Sequence, residues 1–211
     1  MVRVLSIGGL VVLVAVGAFL VFNHSDHSDQ FPENVTPAFA ADMVPHHEGA
    51  IEMARIAKVQ AEHPEVRELA NNIISSQTAE IEILESIYRR VTGESVESVG
   101  DGAMGMSDSM MGMDMDMGAL SKAEPFDREF IDQMIPHHQG AIRMSYMVLG
   151  ASEDQETIEL AEAIIAAQSS DIAQMNRWRR QWYGTESPAG GVPEKPEHGS
   201  SMMEDHSGMG H

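Results

Sequence analysis

Two stretches of the chain carry the same set of nitrogen and sulfur donors. Met43-Val44-Pro45-His46-His47-Glu48-Gly49-Ala50-Ile51-Glu52-Met53 recurs 91 residues later as Met134-Ile135-Pro136-His137-His138-Gln139-Gly140-Ala141-Ile142-Arg143-Met144. On a helix, His46, Ala50 and Met53 stand at i, i+4 and i+7 and share a face, as do His137, Ala141 and Met144. The small residue between imidazole and thioether leaves space beside the backbone for a ligand or a second helix. His47 and His138 point about 100° away, so at least one imidazole per copy can face inward. Imidazole with thioether suits soft ions of low charge, Cu(I) above all and Ag(I) by the same logic. Imidazole alone also accepts Cu(II), Zn or Ni. The competing reading makes each Pro-His-His a helix-start device, one His capping and one exposed. Repetition in both halves counts against it.

Gln77 and Glu80, with Gln168 and Asp171, form a second constellation at i and i+3 inside apolar stripes. A polar group on a buried face is costly unless paired. The His pairs on facing helices, or a bound metal, are the expected partners. A carboxylate there can also fix an imidazole tautomer by accepting its other N–H. A polar network that sets the register of the helices explains the same residues equally well. Asp42 and Asp132, shortly before the two His pairs, are weaker candidates for the same supporting role.

The third feature is a run of methionines, Met104, Met106, Met110, Met111, Met113, Met115 and Met117, in a stretch rich in Gly, Ser and Asp. Met202, Met203, His206, Met209 and His211 repeat the pattern at the C-terminus, and His24 and His27 precede the first motif. Flexible segments of this kind can wrap Cu(I) with two or three thioethers. Unselected low complexity and sacrificial oxidant capture are the alternatives.

The offset that relates the two motifs also organises the elements that must position them. It carries Leu69-Ala70 onto Leu160-Ala161, Ile73-Ile74 onto Ile164-Ile165, and Gln77 onto Gln168. Each copy holds two helical segments, so the expected fold is all-α: two duplicated helical hairpins forming a four-helix bundle. Pro37 and Pro125 open the first helix of each copy, and Pro45 and Pro136 either kink those helices or mark their true starts. Pro64 opens the second helix, which ends at Gly93. Ser152-x-x-Gln155 has capping-box form for the fourth, which stops near Gly184.

The expected plan is a bundle over 36–184, comprising repeat one (36–92), a mobile Met-rich linker that packs no core (93–120) and repeat two (121–184). A disordered Met/His tail (185–211) follows. A polar spacer (23–35) precedes the bundle, and before it residues 1–22 form a membrane segment. Val4–Phe22 is an uncharged run after Arg3, about 28 Å long as a helix, close to a bilayer core. It reads as an uncleaved signal-anchor, a single pass with the domain outside the cytoplasm. Secretion or periplasmic release after cleavage is the alternative.

Composition narrows the partners. The chain has 17 Met, 10 His, no Cys and a formal charge of -20, with 33 acidic residues against 13 basic ones. Without Cys there is no disulfide framework, thiolate site or cysteine nucleophile. The acidic balance argues against nucleic acid, which needs a basic face. Thioethers without thiols fit an oxidising compartment.

At its two His-His-x-Gly-Ala-Ile-x-Met motifs, and over about residues 36–183, the chain resembles the bacterial family catalogued as domain of unknown function 305. The string from Met134 to Ile142 is its most specific element. The resemblance implies a ferritin-like fold, export to a bacterial cell envelope, and copper or silver binding. It puts His46, His47 and Met53 with His137, His138 and Met144 forward as ligands. The second copy has the lead-in Phe130-Ile131-Asp132-Gln133-Met134. The first reads Phe39-Ala40-Ala41-Asp42-Met43, its acidic residue shifted by one. Glu48 against Gln139 and Glu52 against Arg143 break the symmetry further, so sites of equal affinity are not expected.

The function that follows is an extracytoplasmic, membrane-anchored protein that buffers or sequesters Cu(I), or hands it to another copper-handling protein. A ferritin-like metal oxidase is the second expectation, weakened because no Glu-x-x-His lies in the helices. A metal-free helical interaction module is the third, and it leaves the Met-rich segment unexplained.

Overall fold

Prolines placed early and glycines placed late delimit the long helices. α1 spans Val35–Gln60 and α2 spans Pro64–Thr92. Pro64 lies in the first turn of α2, where a missing N–H costs nothing. Gly93 ends that helix at φ 79°, its N–H bonded to the Arg89 carbonyl. After the short helices α3 (Asp108–Met111) and α4 (Met117–Leu120), α5 spans Phe126–Ala151 and α6 spans Gln155–Tyr183. Gly184 closes α6 at φ 85°. Pro45 and Pro136 lie inside α1 and α5, which run on through them as single helices. The cap of α6 is Asp154, whose side chain accepts from Thr157 N, and not Ser152. Asp154 directly precedes the helix, and its carboxylate complements the helix dipole better than a hydroxyl.

This computed structural model describes residues 35–96 and 102–197. The Val4–Phe22 run, the spacer with His24 and His27, and the tail donors Met202, Met203, His206, Met209 and His211 lie outside them. Among the described residues there is no strand, and no helix is long and apolar enough to cross a membrane.

α1 packs on α2 and α5 on α6 as two hairpins, and α1 and α5 form the seam between them, while α2 and α6 scarcely touch. Two apolar cores flank that seam. One joins Phe39 and Met43 of α1, Leu84 and Ile87 of α2, Met144 and Val148 of α5, and Ile164 of α6. The other joins Met53 and Ala57, Ile73, Phe130 and Met134, and Ile172 and Met175. The early part of α1 therefore meets the late part of α5, and the two helices are antiparallel. Residues 91 apart exchange cores, Met43 with Met134 and Met53 with Met144, as a twofold relation requires. The duplication is thus expressed as pseudo-symmetry about the α1–α5 crossing.

The Met-rich segment corrects the sequence expectation. From residue 102 to 120 it is a packed strap, with Met104, Met106, Met111 and Leu120 all buried. Two anchors explain this. The Asp42 carboxylate accepts the N–H groups of Gly102, Ala103 and Met104 at 3.0, 2.8 and 2.7 Å. Gln133, the residue 91 positions after Asp42, accepts from Asp116 N at 3.1 Å. Equivalent positions on the two seam helices thus grip the two ends of one strap. Between them, Gly112 at φ 71° lies so close to the Pro136 carbonyl that no Cβ fits. Thioethers supply the apolar area that Gly, Ser and Asp lack. Replacing Asp42 by Ala should cost on the order of 3 kcal/mol, since three N–H groups lose a charged acceptor. Urea unfolding and proteolysis across 102–120 would measure it. Unchanged stability and protease resistance would reject the anchoring role.

The tail expectation is also corrected in its first half. Gln139 donates to the carbonyls of Ala189 and Gly191 at 2.8 and 2.7 Å, and Asn176 to that of Gly190 at 2.7 Å. Two buried amides therefore dock residues 185–191 on α5 and α6. This is the use of Gln139 that Glu48, its exposed counterpart, does not share. Arg143, in turn, donates to the Met110 carbonyl at 3.2 Å and holds the strap.

Candidate metal centre

His46 and His137 project from the facing seam helices and meet at the crossing. Their ring centroids are 3.8 Å apart, with planes tilted by 38°. Both are 0% exposed. The site therefore lies on the pseudo-twofold axis, between the two apolar cores. Burial, reinforced by His47 nearby, lowers the pKa of His46 to about 3. Burial and then His46 push His137 well below the usual value. Both rings are neutral at any ordinary pH, and each keeps a lone pair.

Their hydrogen bonds differ. His46 Nε2 lies 2.9 Å from the Met111 carbonyl. A carbonyl only accepts, so Nε2 carries the proton and Nδ1 the lone pair. His46 Nδ1 has no partner, and neither ring nitrogen of His137 has one. An unpartnered buried nitrogen costs roughly 1–3 kcal/mol, and a ligand that accepts its lone pair removes that cost.

His47 and His138 turn toward the outer helices, also at 0% exposure. His47 Nε2 donates to Glu80 at 2.6 Å and His138 Nε2 to Asp171 at 3.3 Å, each pair 33 residues apart. Glu80 and Asp171 thus hold the imidazole tautomer, leaving a buried, unpartnered Nδ1 on both rings. The rings of each consecutive pair are 6.2 and 6.4 Å apart. Gln77 and Gln168 are buried, and the Oε1 of each is unpartnered.

Other candidates lie elsewhere. Asp42 is committed to the strap. Asp132 faces α6, where the buried Arg179 donates to it through Nε and Nη2 at 3.2 and 3.1 Å. Met53 and Met144 fill the two apolar cores. Met110, Met113, Met115 and Met117 are half-buried against those cores. Among the described residues no three His, Asp or Glu side chains gather closely enough to hold a metal ion. The available donor set is neutral imidazoles in pairs, with sulfur nearby.

Two glycines escaped sequence reasoning. Ala50 and Ala141 were expected to provide the space, but Gly49 and Gly140 do so. A Cβ on Gly140 would fall on the Met111 carbonyl, the acceptor of His46. A Cβ on Gly49 would lie 3.4 Å from Met115 Sδ and 3.5 Å from His137 Nε2. The signal was available: a glycine inside a helix costs about 1 kcal/mol against alanine, and both copies keep one at the same place.

Comparison with known proteins bears on this geometry. A family model described as Domain of unknown function (DUF305) matches residues 37–175 and, separately, 127–211. CopM, solved in Cu(I)-bound and Ag-bound forms, is 40% identical in both; the alignments cover 71% of this chain and 98% of that one, with TM-scores of 0.63 and 0.62. A DUF305 protein from Streptomyces coelicolor shares the fold at 24% identity and TM-score 0.64, over 72% of this chain and 96% of its own. Among curated sequences, uncharacterized protein L153 of Acanthamoeba polyphaga mimivirus is 38% identical over 50 residues, 24% of this chain and 33% of that protein's length.

Proposed function

Because the chain belongs to the DUF305 family, whose two-copy motif here builds one buried imidazole cluster, we propose that it binds monovalent copper at that cluster. The observation that carries the reading is His137, wholly buried with both ring nitrogens unpartnered. A neutral donor set favours a singly charged ion, since the desolvation cost of burying charge rises steeply with that charge. Soft donors select copper or silver within that class. CopM, similar over most of this chain, was solved with Cu(I), with silver and with Cu(II), which supports copper as the metal.

The residues divide the work. Burial holds His46 and His137 neutral, so their lone pairs are available without displacing a proton into bulk water. Glu80 and Asp171 orient His47 and His138 so that Nδ1 is their free donor. The apolar cores and the strap exclude water. The wider role follows as part of the proposal: buffering, sequestration or transfer of copper outside the cytoplasm. The Val4–Phe22 run supports attachment to a membrane and the lack of Cys supports an oxidising compartment. Transfer would require a second copper-handling protein as recipient.

The test is anaerobic titration of the full chain with Cu(I) against a competing chelator. Asn at both His46 and His137 should weaken binding by about 100-fold or more, and Ala at all four motif histidines by at least as much. Circular dichroism on the milder Asn pair checks that the helices persist. Equal Cu(I) affinity in a folded His46→Asn/His137→Asn variant would reject the site.

A further inference from the structure

The two glycine notches are filled differently, and the difference singles out one sulfur. At Gly140 the strap inserts backbone: the Met111 carbonyl occupies the notch and accepts from His46 Nε2. At Gly49, the equivalent position, it inserts a side chain. The point where a Cβ would stand is 2.9 Å from Met115 Cε, 3.4 Å from Met115 Sδ and 3.5 Å from His137 Nε2. That nitrogen has no partner. One member of the symmetric histidine pair is therefore closed by a carbonyl, and the other faces a thioether.

We propose that Met115 Sδ and His137 Nε2 are joint ligands of the bound ion, forming a mixed thioether–imidazole site that the repeat symmetry does not duplicate at His46. The inference rests on the reading that the histidine cluster takes monovalent copper, and it names which sulfur completes it. Both donor atoms flank one point beside Gly49, at 3.4 and 3.5 Å from it, and the unbranched methionine side chain can adjust to a shared ion. The backbone behind Met115 is fixed: Asp116 N donates to Gln133 Oε1 at 3.1 Å, and Gln133 is one helical turn before His137 on α5. Asp116 also caps α4 by accepting from Ala119 N at 2.8 Å. The sulfur is thus carried on backbone that is fixed at the very next residue, beside the open nitrogen. Both ligands are neutral, and sulfur discriminates against harder divalent ions.

The experiment is titration of the full chain, labelled with 13C at methionine methyls, with Ag(I) as the Cu(I) analogue, followed by NMR of those methyls and of the histidine rings. Met115→Leu, a volume-conserving change, assigns the Met115 resonance. The first equivalent of Ag(I) should shift the Met115 methyl and the His137 ring together. Met115→Leu should weaken Cu(I) and Ag(I) by about tenfold or more while leaving Zn(II) affinity unchanged. Gly49→Ala, which pushes on the Met115 methyl, should weaken them in the same direction, and Met113→Leu should not. A His137 shift without a Met115 shift, or full affinity in Met115→Leu, overturns the thioether ligand and leaves the histidine site standing. If neither resonance responds, the histidine reading fails as well.

Discussion

Alanine at Gly140 should destabilise the protein by roughly 2–5 kcal/mol, whereas alanine at Gly49 should leave it within about 1 kcal/mol of the parent. Both substitutions improve helix propensity by the same amount, about 1 kcal/mol. They differ in what the new methyl meets. At Gly49 it meets the end of the Met115 side chain, which can turn aside. At Gly140 it meets the backbone of Met111, which cannot move without the strap. That strap is gripped by Asp42 at one end and Gln133 at the other, so forcing it outward breaks polar anchors and uncovers Met104, Met106 and Met111. Burial of such side chains is worth about 1.5–3 kcal/mol each. Urea midpoints give the stability difference, and protease cleavage across 102–120 locates it. If Gly140→Ala proves as stable and as protease-resistant as Gly49→Ala, the strap does not pack as described.

The contrast between these glycines shows what sequence could reveal. The offset between repeats predicted the two hairpins and the matched placement of the histidine pairs and of Glu80 and Asp171, because each depends on periodicity within a helix or on spacing kept in both copies; which histidine of a pair meets the carboxylate it left open. The strap was illegible for two physical reasons. Its Gly, Ser and Asp content reads as unable to bury surface, yet three thioethers bury themselves. Its anchor is an aspartate some sixty residues earlier, and nothing local announces that contact. The same aspartate misled in another way. Asp42 and Asp132 are 90 residues apart, one fewer than the repeat, and one residue on a helix is a turn of about 100°. Asp42 therefore grips the strap and Asp132 meets Arg179.

Stability of the metal-free protein should fall steeply as pH drops below about 6.5, well before carboxylates titrate. An unfolded histidine takes up a proton near pH 6.5, whereas His46 holds out to about 3 and His137 is also far below the ordinary value. Over that window the unfolded chain binds more protons than the native one, so stability rises with pH and is lost as pH falls. The groups facing the pair do not reverse this. His47 and His138 add repulsion to any protonated ring, and the backbone groups of Met111 and His137 that favour the charged form of His46 are outweighed by burial. Each ring contributes a limiting slope of about 1.4 kcal/mol per pH unit, so His46 alone removes about 2 kcal/mol between pH 6.5 and 4.5, and His137 adds a loss of the same sign. Asp154, held below the usual carboxylate range by Arg90, has the opposite shift and adds its loss only below about pH 4. Urea midpoints at pH 7, 5.5 and 4.5 measure the slope, and His137→Asn should roughly halve it whatever it does to absolute stability. An ion on the same lone pairs binds only the native protein, so Cu(I) or Ag(I) should carry stability to lower pH. A midpoint that stays flat from pH 7 to 5 in the metal-free protein would mean that the two rings already share a proton or water, and the neutral buried pair would have to be abandoned.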